Sequence, residues 1–264
     1  MRVIQILPQL NIGGVERGTL DLSKALIEQG HESFVISGGG ILVDELIRSG
    51  AKHYEIPVHI KSLRTLYLAK SLSEKISSID PDIVHIRSRM PAWVNYRAFK
   101  MLKKKPLLIS TFHGLYSFPI YSKVMSFVDH SIAISKTVER YILENYRLDK
   151  DDITVIPRGC DPIEFNNDVI NPSDKANIIE EFPQIVGKKV LTIPGRITKW
   201  KGVAEFIDLL SLLDDNYHGL IVGPTAKSKK KYLKKLQNKV SSLNLEDKIT
   251  FTGSRRDIAN IYKI

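Results

Sequence analysis

Apolar and polar positions along the chain follow two alternating patterns. Short β-branched runs at Val3 to Leu7, Phe34 to Ser37, Ile83 to Ile86, Leu107 to Thr111, Ser131 to Ile134 and Thr154 to Ile156 have the length of strands. The segments between them have the length of helices. In the first such segment Val15, Thr19, Leu22 and Leu26 recur at i, i+4, i+7 and i+11, one stripe of a helix facing a sheet. Gly30 follows as its expected C-cap. Strand and helix in alternation predict right-handed crossovers and a parallel sheet covered on both faces.

From about Glu164 to Lys188 the pattern weakens, and Asn166, Asn167, Asn171, Pro172, Ser173 and Asp174 cluster as loop formers. This predicts a first domain over 1–165, a linker over 166–187 and a second domain over 188–264. The second domain has its own series, with strands at Val190 to Ile193, Gly219 to Val222 and Ile249 to Thr252 and helices at Val203 to Leu213 and Tyr232 to Leu243. It holds 77 residues, against about 100 to 150 for a compact domain. We therefore expect it to be incomplete.

Composition narrows the class. At 264 residues and 43% hydrophobic, the chain can bury a core. The single cysteine, Cys160, excludes an internal disulfide framework, and no Cys/His cluster at ligand spacing suggests a metal. A reducing, cytoplasmic compartment is the natural reading. The opening MRVIQILPQL is broken by Pro8 and Gln9 and is too short for a signal peptide. No run approaches the roughly 20 apolar residues that span a bilayer, so membrane contact would be peripheral. A net charge of +10 attracts anionic partners without choosing among them.

Gly13 and Gly14 follow a strand and precede a helix, where missing Cβ atoms and free N–H groups let a phosphate approach the helix N-terminus. A tight turn without a ligand is the other reading, and spacing leaves both open. The nicotinamide fingerprint is absent: the pattern is GGVERG, and the second strand ends Ile36, Ser37, Gly38, Gly39 with no carboxylate for a ribose. In the second domain, strand Val190 to Ile193 runs into PGRITKWKG. That places Arg196 and Lys201 at the carboxyl end of a strand, where open parallel sheets bind ligands. A planar bidentate donor beside a mobile point charge suits a diphosphate.

At these residues the chain resembles the family 4 retaining glycosyltransferases. GRITKWKG looks like their G-R-x-x-x-x-K-G signature, and RSRMPAW at 87 to 93, STFHG at 110 to 114, VIPRGCD at 155 to 161 and the opening GGVERGTLDLSKALIEQGHE also match. The similarity covers essentially the whole chain and is closest to the branch that builds bacterial lipopolysaccharide and related envelope glycans. It implies the α/β, GT-B-like fold, two Rossmann-like domains facing a cleft, with the acceptor on the first and a nucleotide-sugar donor on the second. It also implies metal-independent transfer with retention, with no cofactor beyond the nucleotide-sugar co-substrate. One family motif, E-x7-E, is missing before the sequence stops at Ile264.

The resemblance assigns roles. Arg196 and Lys201 would neutralise the donor diphosphate and the leaving nucleotide, with Gly13 and Gly14 also on the diphosphate. Gly223 and the segment FTGSRRD, 251 to 257, would shape the nucleotide pocket. His113 would contact the transferred sugar, and Gly114 would let substrate approach the backbone. Arg87 and Arg89 follow a strand end and are read either as contacts to an anionic acceptor or as surface charges. Arg158, Gly159 and Asp161 fall at the expected interdomain turn, and His85 and His130 read as packed strand residues.

The basic run SKKKYLKKLQNK at 228 to 239 is read as the solvated face of a helix whose apolar stripe is Leu233, Leu236, Val240 and Leu243, so no nucleic-acid partner is expected. Lys61, Arg64, Lys70 and Lys103 to Lys105, with Leu66, Tyr67 and Leu68, are read as a patch for an anionic membrane. A nucleotide-sugar epimerase of the same fold and a fragment with a binding role only are the alternatives to a transferase.

Overall fold

The computed structural model describes residues 1–60, 67–116, 119–166 and 171–264. It divides into two compact units, Met1–Gly159 and Cys160–Ile264. The first contains β1 (Arg2–Ile6), α1 (Gly14–Glu28), β2 (Glu32–Ser37), α2 (Val43–Arg48), β3 (Lys52–Glu55), α3 (Ala69–Ile79), β4 (Ile83–Ile86), α4 (Arg89–Met101), β5 (Leu107–Phe112), α5 (Pro119–Ser122), β6 (His130–Ala133), α6 (Lys136–Asn145) and β7 (Ile153–Val155). The second contains α7 (Pro172–Glu181), β8 (Lys189–Pro194), α8 (Val203–Ser211), β9 (Tyr217–Val222), α9 (Lys230–Ser242), β10 (Ile249–Gly253) and α10 (Ile258–Tyr262).

The first unit is a seven-stranded sheet in the order β3-β2-β1-β4-β5-β6-β7, with every pairing parallel. Alternate residues explain why both faces are covered. Ile4, Ile6, Phe34, Ile36, Val84 and Ile86 join the cluster that includes Leu72 and Ile76 of α3. Leu7 and Val35 turn to the other cluster, with Leu20 of α1 and Leu46 of α2. Connections leave β1 and β4 in opposite directions along the sheet, so the carboxyl ends of these two strands flank the switch point where such sheets hold ligands.

Two expectations need correction here. The buried face of α1 is Thr19, Leu20 and Ser23, while Val15, Leu22 and Leu26 are only half-buried. The cause is a polar residue in β1: Gln5, fully buried, donates Nε2 to the Thr19 carbonyl (3.1 Å) and to Ser23 Oγ (2.9 Å). A helix rotated to present only apolar residues would leave that amide unpaired. Strand β3 is absent from the apolar pattern, because KHYE carries no β-branched run; it pairs at the edge with β2.

The second unit is a three-stranded parallel sheet in the order β10-β9-β8. Ile221 of β9 packs with Ile207, Leu210, Leu236 and Val240 of α8 and α9. Its neighbours Leu220 and Val222 pack on the opposite face with Ile178, Phe182, Ile185 and Ile261. The predicted linker over 166–187 is therefore corrected: within it α7 and Ile185 build the core of the second unit. The loop-forming residues start a helix. Asn171 caps it by accepting from the Ser173 N–H (3.1 Å), and Pro172 occupies the first turn.

Candidate functional site

In the first unit the loops after β1, β4, β5 and β7 collect a cluster of charge. The N-cap of α1 is Gly13, in extended backbone (φ 174°) with no side-chain cap of its own. Glu16 folds back over it: its Oε2 lies 2.3 Å from where a Cβ on Gly13 would stand. The first anion at this helix terminus is thus a carboxylate of the same chain, in the manner of an N3 glutamate returning to the N-cap. Gly14 leaves room for a guanidinium. A Cβ there would lie 2.5 Å from Nη1 of Arg158.

Arg158 reaches across from the end of β7 and donates Nη2 to Nδ1 of His113, 2.8 Å away, just beyond β5. His113 Nε2 is buried with no partner among the described residues. Burial, reinforced by the positive charges of Arg87 and Arg158, pushes His113 down to about 3, so the ring is neutral at physiological pH. The sequence places Arg158 only in a turn. Its contact with His113 joins residues 45 positions apart, and no sequence signal short of the fold could have paired them.

Arg87 is 7% exposed, which excludes the surface reading of this residue. Its Nη1 donates to Gln5 Oε1 (3.0 Å), its Nη2 lies 3.3 Å from the Cβ position of Gly18, and its Nε has no partner among the described residues. Burial pulls it down to about 10, with Arg158 adding to the shift and Glu16 and Asp21 opposing it, so it stays charged near neutrality. Arg89 opens α4 and lies over aromatic faces, its guanidinium carbon 4.7 Å from the Tyr116 ring centre and 5.6 Å from that of Tyr121. Gly114 has φ +155°, and space within 4 Å of its Cβ position is empty. His85 and His130 sit in their strands, bonded to Thr111 Oγ1 (2.7 Å) and Thr154 Oγ1 (2.8 Å).

In the second unit the loops after β8 and β9 touch. Gly195 N–H donates to the Val222 carbonyl (2.8 Å) and Ile197 N–H to that of Pro224 (3.1 Å). Arg196 is exposed, with no side-chain partner among the described residues. The stem of Lys201 passes over Gly195, and its ammonium lies 4.4 Å from the ring centre of Trp200, which is 70% exposed. A cavity of about 460 Å³ in this unit is bordered by Ile197, the residue after Arg196, and by Gly223, Thr225, Phe251 and Ser254; Arg196 and Lys201 do not line it. Arg255 of FTGSRRD is not available to a ligand. It holds Glu181 with Nη1 (2.5 Å) and Asp257 with Nη2 (2.7 Å), tying the β10 loop to α7.

A larger cavity, about 690 Å³, lies at the opposite, amino ends of β4 and β5. Lys70, Lys103 and Lys104 border it, and Lys104 pairs with Asp80 (2.7 Å). Of the expected membrane patch, Lys61, Arg64 and Leu66 lie outside the described residues; Tyr67, Lys70 and Lys103 to Lys105 are exposed and Leu68 is half-buried. Among the described residues no helix is long and apolar enough to cross a membrane.

Comparison with known proteins adds the family. Residues 12–164 match the family model described as Glycosyltransferase Family 4, and residues 174–264 match the one described as Glycosyl transferases group 1. The chain belongs to glycosyltransferase family 4. A solved glycosyltransferase from Rickettsia africae ESF-5 is 33% identical, superposes with a TM-score of 0.83, and is matched over 100% of this chain and 70% of that one. The Anabaena protein HepE, solved with UDP and glucose, shares the fold at 19% identity and a TM-score of 0.84, over 99% of this chain and 71% of its own. One component of the human phosphatidylinositol N-acetylglucosaminyltransferase is 25% identical over 185 residues, 64% of this chain and 38% of the human protein. The chain spans about two fifths of the length of such curated relatives. Both family models are of glycosyltransferases, which favours transfer over the epimerase and binding-only readings.

Proposed function

We propose that this chain moves a sugar from a nucleotide-sugar donor to a glycan or lipid-linked acceptor of the cell envelope, with retention of anomeric configuration. The observation that carries the reading is the pair Arg196 and Lys201. Both are cations without a carboxylate partner among the described residues, in the loop that follows β8, with the Lys201 stem over Gly195 and Arg196 next in the chain to Ile197, which borders the cavity. Charge developing on a departing diphosphate would be stabilised there by donors already in place, the part a metal ion would otherwise take.

The first unit would supply the acceptor side. His113 offers an N–H to the transferred sugar, Gly114 leaves room beside it, and Arg89 and the buried charge of Arg87 favour an acceptor carrying an anionic group. At Gly13 and Gly14 a phosphate would bind only by taking the place of, or standing beside, the Glu16 carboxylate. We place the enzyme in the cytoplasm, at the inner face of the membrane. The complexes of HepE with UDP and UDP-glucose support a uridine nucleotide as the first donor to try.

Calorimetric titration of the chain with UDP tests the donor half. We expect Arg196→Ala and Lys201→Ala each to weaken binding by about 10-fold or more, the usual range for charge-assisted hydrogen bonds. Absence of UDP binding, or unchanged affinity in both variants, overturns the assignment.

A further inference from the structure

We infer that Arg158 is a positioning residue that fixes the tautomer of His113, so that this histidine meets its ligand as a neutral Nε2–H donor. Donor and acceptor capacity decides the matter. A guanidinium carries N–H groups only and has nothing with which to accept. The 2.8 Å contact from Arg158 Nη2 to His113 Nδ1 therefore requires a lone pair on Nδ1. A neutral imidazole has one ring proton, and with Nδ1 accepting it must sit on Nε2. An imidazolium would lose the bond altogether and face Arg158 and Arg87 as like charges.

The second observation is the other end of the ring. His113 Nε2 is buried and unpartnered among the described residues, which leaves an N–H whose complement is an oxygen that can accept, such as a hydroxyl of a bound sugar. A buried donor left unpaired costs more than a net hydrogen bond gains, so the site gains affinity when such an oxygen arrives. The same proton count denies His113 the role of a proton acceptor at Nε2. Burial and the two arginines act in the same direction, holding the ring near 3 and hence uncharged.

Gly14 completes the device. A Cβ there would lie 2.5 Å from Arg158 Nη1, so any side chain at this position moves the guanidinium. Burial lowers Arg158 below the ordinary arginine value, and the Glu16 carboxylate, with Tyr116, opposes that shift. The inference deepens the reading of His113 as a sugar contact, but its main test does not depend on that reading.

The test is two-bond proton–nitrogen correlation of the histidine rings in the ¹⁵N-labelled chain, with His113 assigned by the signal lost in His113→Gln. We expect the Nε2–H pattern and no titration of His113 near its ordinary value of 6.5, because the fold holds it down at about 3. Arg158→Met should populate the Nδ1–H form and raise the His113 titration by about one unit or more. Gly14→Ala should do the same with the arginine still present, while Arg158→Lys, also a pure donor, should keep the Nε2–H pattern better than Arg158→Met. A wild-type ring protonated on Nδ1, or identical His113 signals in Arg158→Met, overturns the inference. In a transfer assay Arg158→Met should add an acid limb to the pH profile; a wild type without turnover would sink the transferase reading and leave the ring result standing.

Discussion

Gly223 and Gly195 meet backbone to backbone. A methyl group on Gly223 would stand 1.9 Å from the Gly195 carbonyl oxygen, at a φ of +155° that side-chain-bearing residues rarely adopt. The contact holds the loops after β8 and β9 together at the point where Arg196 emerges. Backbone atoms cannot swing aside as a flexible side chain can, so the space is reserved for glycine.

Gly223→Ala should therefore destabilise the second unit by about 1–3 kcal/mol and weaken UDP binding. Gly187 serves as the control. It also has positive φ (73°), but nothing lies within 4 Å of its Cβ position, so Gly187→Asn should be tolerated. Urea denaturation of both variants decides the matter, and equal stability would show that the close approach is dispensable.

Acid should unfold the first unit through its buried histidines. His85 is held well below its ordinary value by burial first, then by Arg87 and His113. The folded form therefore binds fewer protons than the unfolded chain once pH falls below about 6.5, and stability present above that pH is lost as acid is added. Carboxylates of the same unit such as Asp80, lowered by its bond to Lys104, act in the same direction but only below their own lower range. His85→Gln should flatten the slope below about pH 6.5 by up to about 1.4 kcal/mol per pH unit. Denaturant midpoints across that window would measure it, and an unchanged slope would mean His85 is not kept neutral by the fold.

The exposed lysines 103 to 105 lead us to expect binding to anionic vesicles that weakens with salt. Each Lys→Glu change at Lys103 or Lys105 should reduce the affinity about five-fold or more, since one basic residue near such a surface contributes about 1 kcal/mol. Sedimentation with anionic and with neutral vesicles distinguishes the outcomes, and equal binding to both would remove the electrostatic account.

The sequence by itself determined the parallel α/β class, because strands buried on both faces must carry near-continuous apolar runs and their crossovers need helix-length spacers. It also placed Arg196 and Lys201, since a loop directly after a strand inherits its position from that strand. Where a residue's role depends on partners far along the chain, the pattern is silent. Asn171 and Pro172 look alike in a loop and at a helix start until Ile178 and Phe182 find a sheet to pack on. Arg87 reads equally as an acceptor contact and as a surface charge until Gln5 is seen beneath α1 to receive it. Only the tertiary structure decided that Arg158 holds His113, because a hydrogen bond at 2.8 Å between the ends of β5 and β7 depends on where the sheet sets those ends in space. Periodicity reports which face of an element is buried; it carries no information about which two loops arrive side by side.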